Sequence, residues 1–305
     1  MEEPRYCYRH PNRETGLSCS ECGRPICYEC VTHAPVGLRC PEHSGKPQGV
    51  QKVTRSLTRV SAGRVNPVTM TLILVNVLVF AAELAAGGNL SGTGNWIYNH
   101  GALFAAGAYV PGGIGTLPAH ATAPGYHLVG VANGEWWRLL TAAFLHYGPL
   151  HLAINMYSLY FAGTLLEQII GSWRFTLLYF GSGIAGSAGA LWLSPNAVTV
   201  GASGAIFGVL GAALVYEQQR TMVLGGSALS IVVINVLFTF AFGSAGISIW
   251  GHLGGLVGGV LCGLALSRLG RVHAAYGRPG VLGFAGVAAV ALGAVLVSFM
   301  AAQTY

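Results

Sequence analysis

The sequence predicts an all-α polytopic membrane protein that carries a small metal-binding domain at its N-terminus. Two observations predict it. Of the 305 residues, 53% are hydrophobic and 9% are charged, whereas a soluble globular chain carries about 25% charged residues. The apolar residues gather into runs near the ~20 residues that cross a bilayer. In addition, six of the seven cysteines fall within the first 40 residues, each in a Cys-x-x-Cys or Cys-x-x-His pair.

Residues 1–45 contain Cys7-x-x-His10, Cys19-x-x-Cys22, Cys27-x-x-Cys30 and Cys40-x-x-His43. Zinc prefers four tetrahedral Cys/His ligands, and a two-residue spacer lets both members of a pair reach one ion. Eight ligands suit two ions. Clustered pairs in a cytosolic segment favour metal over disulfides. With the first and third pairs on one ion and the second and fourth on the other, the arrangement resembles B-box and RING-like cross-brace fingers. His33 is left as a spare surface histidine. So short a segment cannot fold on apolar burial, so structural zinc is expected to supply its folding energy. A partner-docking or regulatory role is the modest inference. Residues 46–66 read as a basic linker (Lys46, Lys52, Arg55, Arg59, Arg64), whose position beside a membrane span suits anionic headgroups.

The first span is expected from Pro67 to Ala86, opened by Asn66-Pro67. The segment 87–137 is rich in Gly, Ala and aromatics, has no Lys or Arg, and has Glu135 as its only acid. It reads as a re-entrant or interfacial element ending in Trp136-Trp137-Arg138. Further spans are expected over 148–168, 172–193, 198–216, 222–241, 247–267 and 280–300, which makes seven. Basic residues mark the cytosolic side. Ten of the sixteen Lys/Arg precede residue 65, which places the N-terminus inside. Arg174, Arg220, Arg268, Arg271 and Arg278 then also fall inside, and Arg138 falls outside. The expected placement is a multi-pass protein of the bacterial plasma membrane, N-terminus cytosolic and C-terminus outside.

Four polar residues fall at similar depth in these spans: Ser203, His252, His151 and Asn155. The last two share a helix face by their i, i+4 spacing. Polar groups inside a membrane are costly and face a bundle interior or a water-filled cavity. Any one of them is explained by an interhelical hydrogen bond; four in one layer are not. The chain contains no aspartate, so serine hydrolase chemistry here needs a dyad or a borrowed glutamate. Gly251, Gly255, Gly259 and Gly263 repeat every four residues, and Gly204, Gly208 and Gly211 form a second stripe. Such stripes let helix backbones touch and bring His252 towards Ser203.

Taken together, Trp137-Arg138, His146, His151-x-x-x-Asn155, Gly201-Ala202-Ser203-Gly204 and His252-x-x-Gly255-x-x-x-Gly259 resemble the rhomboid family of intramembrane serine proteases. The likeness covers roughly residues 67–268, a six-helix core. The zinc domain and a seventh helix (279–305) lie outside it. The resemblance implies Ser203 as nucleophile, His252 as base, and His151 and Asn155 as oxyanion donors, with no cofactor in the chemistry. Phe207 stands where a tyrosine often stacks on the catalytic histidine. The implied substrates are transmembrane segments with a small residue at the cleavage point, met in a lipid environment.

Two other classes compete. A catalytically inactive rhomboid-like client-binding protein would not retain nucleophile, base and both oxyanion donors. A transporter would show inward acids or paired broken helices. No His-Glu-x-x-His occurs for a metalloprotease. Six Glu offset the ten Lys/Arg of the N-terminal region, which argues against nucleic acid as a partner.

Overall fold

The computed structural model describes residues 5–33, 37–43, 66–91, 93–110, 113–118, 121, 125–219, 221, 223–241, 248–269 and 281–305. Of the expected linker only Asn66 is among them. Arg220, Arg271 and Arg278 and the side chains of His33 and Arg268 lie outside the described residues. The chain divides into two compact units, Met1–Gly63 and Arg64–Tyr305.

The first unit consists of two small antiparallel ribbons, β1 (Tyr6–Cys7) with β2 (His10–Glu14) and β3 (Thr32–His33) with β4 (Leu38–Arg39). Its buried residues are Ile26 and five of the cysteines. That is too little apolar surface to stabilise a fold by itself.

The second unit opens with α1 (Pro67–Ala85), with proline at the start of the helix, where a missing N–H costs nothing. The Glu167 carboxylate accepts hydrogen bonds from the Val68 and Thr69 amides at 3.1 and 2.9 Å and from the Thr69 hydroxyl at 2.7 Å. An anion at a helix N-terminus also complements the macrodipole. The segment after α1 contains α2 (Trp96–Gly101) and a three-stranded antiparallel sheet, in the order β6-β5-β7, of β5 (Gly107–Val110), β6 (Gly113–Thr116) and β7 (Leu128–Val129). The expected interfacial element is therefore partly β-structure. It is closed by Arg138, fully buried at the start of α3 (Arg138–Thr141). The guanidinium pairs with Glu135 at 2.7 Å, donates to the Asn99 and Ala102 carbonyls, and lies 4.5 Å from the Phe104 ring centroid. The Trp137 indole donates to the His100 carbonyl. The Trp-Arg motif is thus a clasp that gathers the segment.

Helix continues without a break from α4 (Gly148–Ser158) through a π-helical turn (Leu159–Gly163) into α5 (Thr164–Ile170). Then come α6 (Ser172–Leu193), α7 (Ser203–Gln218), α8 (Ala228–Ala241), α9 (Ile249–Leu264, prolonged by a π-helical turn) and α10 (Val281–Gln303). All seven expected helical segments are present. Among the described residues, four are long and apolar enough to cross a membrane alone: α1, α6, α9 with its extension, and α10.

The expected span over 198–216 starts later than its hydropathy suggests. Thr199 is held in a β-bridge to Leu103, with N–H···O distances of 3.0 and 2.7 Å, and the Gly201 amide donates to the Ala142 carbonyl at 2.8 Å. Gly201 itself adopts φ +119, a conformation that only glycine enters freely. Ser203 is therefore the first residue of α7 rather than a residue some way into a span. Helix α7 is apolar on all sides and is the core of the bundle, with Val209, Ala212 and Ala213 wholly buried. It meets α9 backbone to backbone. A Cβ on Gly255 would land on the Gly204 carbonyl, and one on Gly259 on the Gly208 carbonyl.

Candidate active site

Three helices contribute the polar layer. The α7/α9 contact at Gly204 and Gly255 sets His252, in the first turn of α9, against Ser203 at the start of α7. His252 Nε2 lies 2.7 Å from Ser203 Oγ. On its other edge, His252 Nδ1 lies 2.8 Å from Thr239 Oγ1 on α8. The Phe207 ring, one turn along α7 from Ser203, stacks on the imidazole with centroids 4.2 Å apart and planes at 16°. His252 is 8% exposed and Ser203 is half-buried.

From α4, the Tyr147 amide donates to His151 Nδ1 at 3.2 Å. A neutral ring with Nδ1 accepting carries its proton on Nε2. That nitrogen faces the Gly201 backbone. A Cβ built on Gly201 would lie 3.1 Å from His151 Nε2 and 3.7 Å from Ser203 Oγ. Gly201 is therefore required both for its backbone angle and for the space between these two groups. Asn155 is buried, and its amide nitrogen donates to the His151 carbonyl at 3.0 Å. An amide NH2 carries two hydrogens, so one remains for another acceptor. His151, Asn155, Ser203, Phe207, Thr239 and His252 line one cleft of about 320 Å3. A separate space of about 30 Å3 touches Ser203 and His252 and is lined also by Ser187 and Ser248, room enough for one or two water molecules.

The N–H groups of the first turn of α7 have no intrahelical acceptor, and the positive end of the helix dipole lies there too. The arrangement is therefore a hydroxyl beside an imidazole, with the His151 and Asn155 donors lining the same cleft. His146, which belongs to the same motif, is fully buried with its ring 5.2 Å from that of His151. Thr239 is the site residue the sequence reading missed. Its signal was the Asn235-x-x-x-Thr239 spacing, two polar residues on one face of an apolar helix.

In the first unit the eight cysteine and histidine ligands form two groups, Cys7–His10–Cys27–Cys30 and Cys19–Cys22–Cys40–His43, with all ligand atoms of a group within 4.8 Å of one another. His10 Nδ1 lies 3.4 Å from the sulfurs of both Cys27 and Cys30, and His43 Nδ1 lies 3.2 Å from that of Cys40. Tetrahedral bonds of about 2.0–2.3 Å place ligand atoms roughly 3.3–3.8 Å apart, so each group could hold one metal ion. Burial works against a Cys7 thiolate, but donors from the Cys27, Arg9 and His10 amides and from the His10 ring outweigh it and hold the thiol down at about 6. Cys19 is held at about 6 in the same way, burial being outweighed by donors from Cys22 and Cys40.

The family model described as Rhomboid domain matches residues 133–269. Rhomboid protease GluP of Bacillus subtilis (strain 168) is 46% identical over 140 residues, which are 45% of this chain and 27% of that protein. Putative rhomboid protease YdcA of the same organism is 41% identical over 155 residues, 48% of this chain and 77% of that protein. RHOMBOID-like protein 4 of Arabidopsis thaliana is 37% identical over 140 residues, 45% of this chain and 35% of that protein. The chain thus spans most of YdcA but well under half of the other two. It belongs to the rhomboid family of intramembrane serine proteases.

Proposed function

We propose that this chain is an intramembrane serine endopeptidase that cleaves transmembrane segments of other membrane proteins through Ser203 and His252. The observation that carries the reading is the 2.7 Å approach of His252 Nε2 to Ser203 Oγ. His252 takes the hydroxyl proton as Ser203 Oγ attacks a peptide carbonyl carbon. The tetrahedral oxyanion then accepts hydrogen bonds from the α7 N-terminus, His151 Nε2–H and Asn155, a contribution of several kcal/mol in comparable sites. His252 passes the proton to the leaving amine. Water deprotonated by His252 then attacks the acyl carbon, and the proton returns to Ser203.

The ~320 Å3 cleft has room for a few residues of extended chain and not for an intact helix. Substrates are therefore helices with a locally unstable end and a small residue at the cleaved bond. The charge distribution supports an N-terminus in the cytosol, a C-terminus outside and a cleft that opens outward. Two structural zinc ions in the N-terminal unit fit the two Cys3His donor sets, whose four ligands would fill a tetrahedral site. Every group in the proposed chemistry belongs to the second unit, so zinc takes no part in it.

The test is labelling with a fluorophosphonate, which traps an activated serine. Wild type labels and cleaves a model transmembrane substrate, while Ser203→Ala does neither. A folded wild-type protein that neither labels nor cleaves refutes the reading and favours an inactive client-binding protein.

A further inference from the structure

We propose that Thr239 is the positioning residue of the Ser203–His252 pair: its hydroxyl oxygen accepts the Nδ1 proton of His252 and holds the imidazole in the tautomer that leaves Nε2 bare. The inference rests on the proteolytic reading and goes beyond a simple dyad.

The argument is one of hydrogen counting. Thr239 Oγ1 is within hydrogen-bond distance of two groups, the Asn235 carbonyl at 2.9 Å and His252 Nδ1 at 2.8 Å. A carbonyl can only accept, and a hydroxyl has a single hydrogen. Given to Asn235, four residues back on the same helix, the usual habit of a threonine inside a helix, that hydrogen is no longer available to His252. What the hydroxyl presents to His252 is a lone pair, so Nδ1 carries the proton. A neutral ring protonated at Nδ1 has Nε2 free, and Nε2 is the atom 2.7 Å from Ser203 Oγ. In the other tautomer Nε2 would already hold a proton and could not act as a base.

A carboxylate would do the same work, but the chain has no aspartate. Of the four glutamates in the second unit, Glu135 pairs with Arg138, and Glu167 and Glu217 accept hydrogen bonds from amides at the starts of α1 and α8. Glu83, on α1, is buried and is not a partner of His252. A hydroxyl fixes the tautomer without placing an anion inside the bilayer, where charge is expensive. Among the described residues, Ser203 and Thr239 lie within hydrogen-bond distance of the His252 ring, and His151, Asn155, Asn235 and Ser248 line the same cleft. Thr239 is 2% exposed and Phe207 covers one face of the imidazole.

The test compares full-length wild type with Thr239→Val, which keeps the shape and loses the hydroxyl, and Thr239→Ser, which keeps the hydroxyl. Substrate cleavage gives kcat and KM, and the rate of fluorophosphonate labelling reports serine activation alone. Thr239→Val lowers kcat and the labelling rate about tenfold, the worth of one buried hydrogen bond, and leaves KM unchanged. Thr239→Ser returns both rates to within about threefold of wild type. Should Thr239→Val not fold, Thr239→Cys, whose sulfur accepts hydrogen bonds weakly, gives a rate below that of Thr239→Ser. An active wild type beside an unimpaired Thr239→Val, or Thr239→Cys as fast as Thr239→Ser, overturns the role of Thr239 alone. A folded wild type that neither labels nor cleaves overturns the proteolytic reading and the role of Thr239 with it.

Discussion

The Phe207 ring lies flat against the imidazole of His252, 4.2 Å away and inclined by 16°. Phe207 and Ser203 are four residues apart on α7, so they share a helix face. One turn of helix supplies both the proposed nucleophile and a surface that stops the proposed base from rotating away from it. The contact needs the ring and not a hydroxyl. Phe207→Tyr should therefore keep near-wild-type turnover. Phe207→Ala should lower kcat roughly three- to tenfold, in line with the ~0.5–1.5 kcal/mol of an aromatic pair. Steady-state cleavage of a reconstituted transmembrane substrate checks both; equal rates for Ala and wild type would show that the stack does not orient the base.

Ser203→Ala and His252→Ala should each abolish cleavage while the protein keeps its fold. Among the described residues Ser203 has one side-chain hydrogen bond to lose, that to His252, and the variant alanine suits a helix start among glycines. Product formation is the measurement, with thermal stability in detergent as the control. Continued cleavage by Ser203→Ala would sink the nucleophile assignment.

His151→Ala and Asn155→Ala should slow turnover by roughly 10- to 1000-fold each, the range of single oxyanion donors elsewhere, with little change in KM. Asn155 spends one amide hydrogen on the His151 carbonyl, so its loss also loosens His151 and the two effects should not add. Unchanged kcat in both single variants and in the double variant would remove these residues from the oxyanion site.

The order of helices and the Ser203–His252 meeting were legible because they rest on local signals: apolar runs, glycines at fourfold spacing, and a serine between glycines. The β-bridge between Leu103 and Thr199 was not, because it joins residues 96 apart through backbone atoms. For the same reason the sequence placed Ser203 inside a span when it starts one. The Glu167 cap on α1 spans a similar separation. Thr239 lies in an apolar helix where threonine is unremarkable; only the fold reveals that its oxygen faces an imidazole. The sheet between α2 and α3 is built from strands of only two to four residues, with Gly107, Gly113 and Gly115 among them, so no run was long enough for alternation to announce it.

Glycine contacts between α7 and α9 make a separate prediction about stability. At Gly259 an added Cβ would meet the Gly208 carbonyl, carbonyl carbon and Cα, all backbone that cannot swing aside. Gly259→Ala should therefore separate the two helices, lower the melting temperature in detergent and reduce fluorophosphonate labelling. Gly293, on α10, has open space around it, and Gly293→Ala should leave both unchanged. Equal stability of the two variants would mean that close backbone contact does not hold the site together.

Metal in the N-terminal unit should be structural and separable from the chemistry. Each ligand group joins residues from distant parts of the segment, Cys7 and His10 with Cys27 and Cys30, and Cys19 and Cys22 with Cys40 and His43. Removing one ligand should therefore release one ion and loosen the parts of the unit which that ion ties together, since the buried side chains are mostly the ligands themselves. Full-length protein should contain two zinc ions per chain, and Cys27→Ser close to one. Acid should release both. Cys7 and Cys19 are held near 6 from an ordinary 9.0, so the stability their thiolates contribute is complete above pH 9 and lost as the pH falls through 6. Bound metal carries that loss to lower pH, because it competes with protons for the same sulfur. Deleting residues 1–45 should leave substrate cleavage and serine labelling largely intact, because Ser203, His252, His151 and Asn155 all lie in the compact unit that begins at Arg64. Metal analysis of purified protein, followed by cleavage assays of the truncated chain, distinguishes the outcomes: a stoichiometry near one contradicts the two-ion assignment, and a folded truncated chain that cannot cleave contradicts the separation of metal from catalysis.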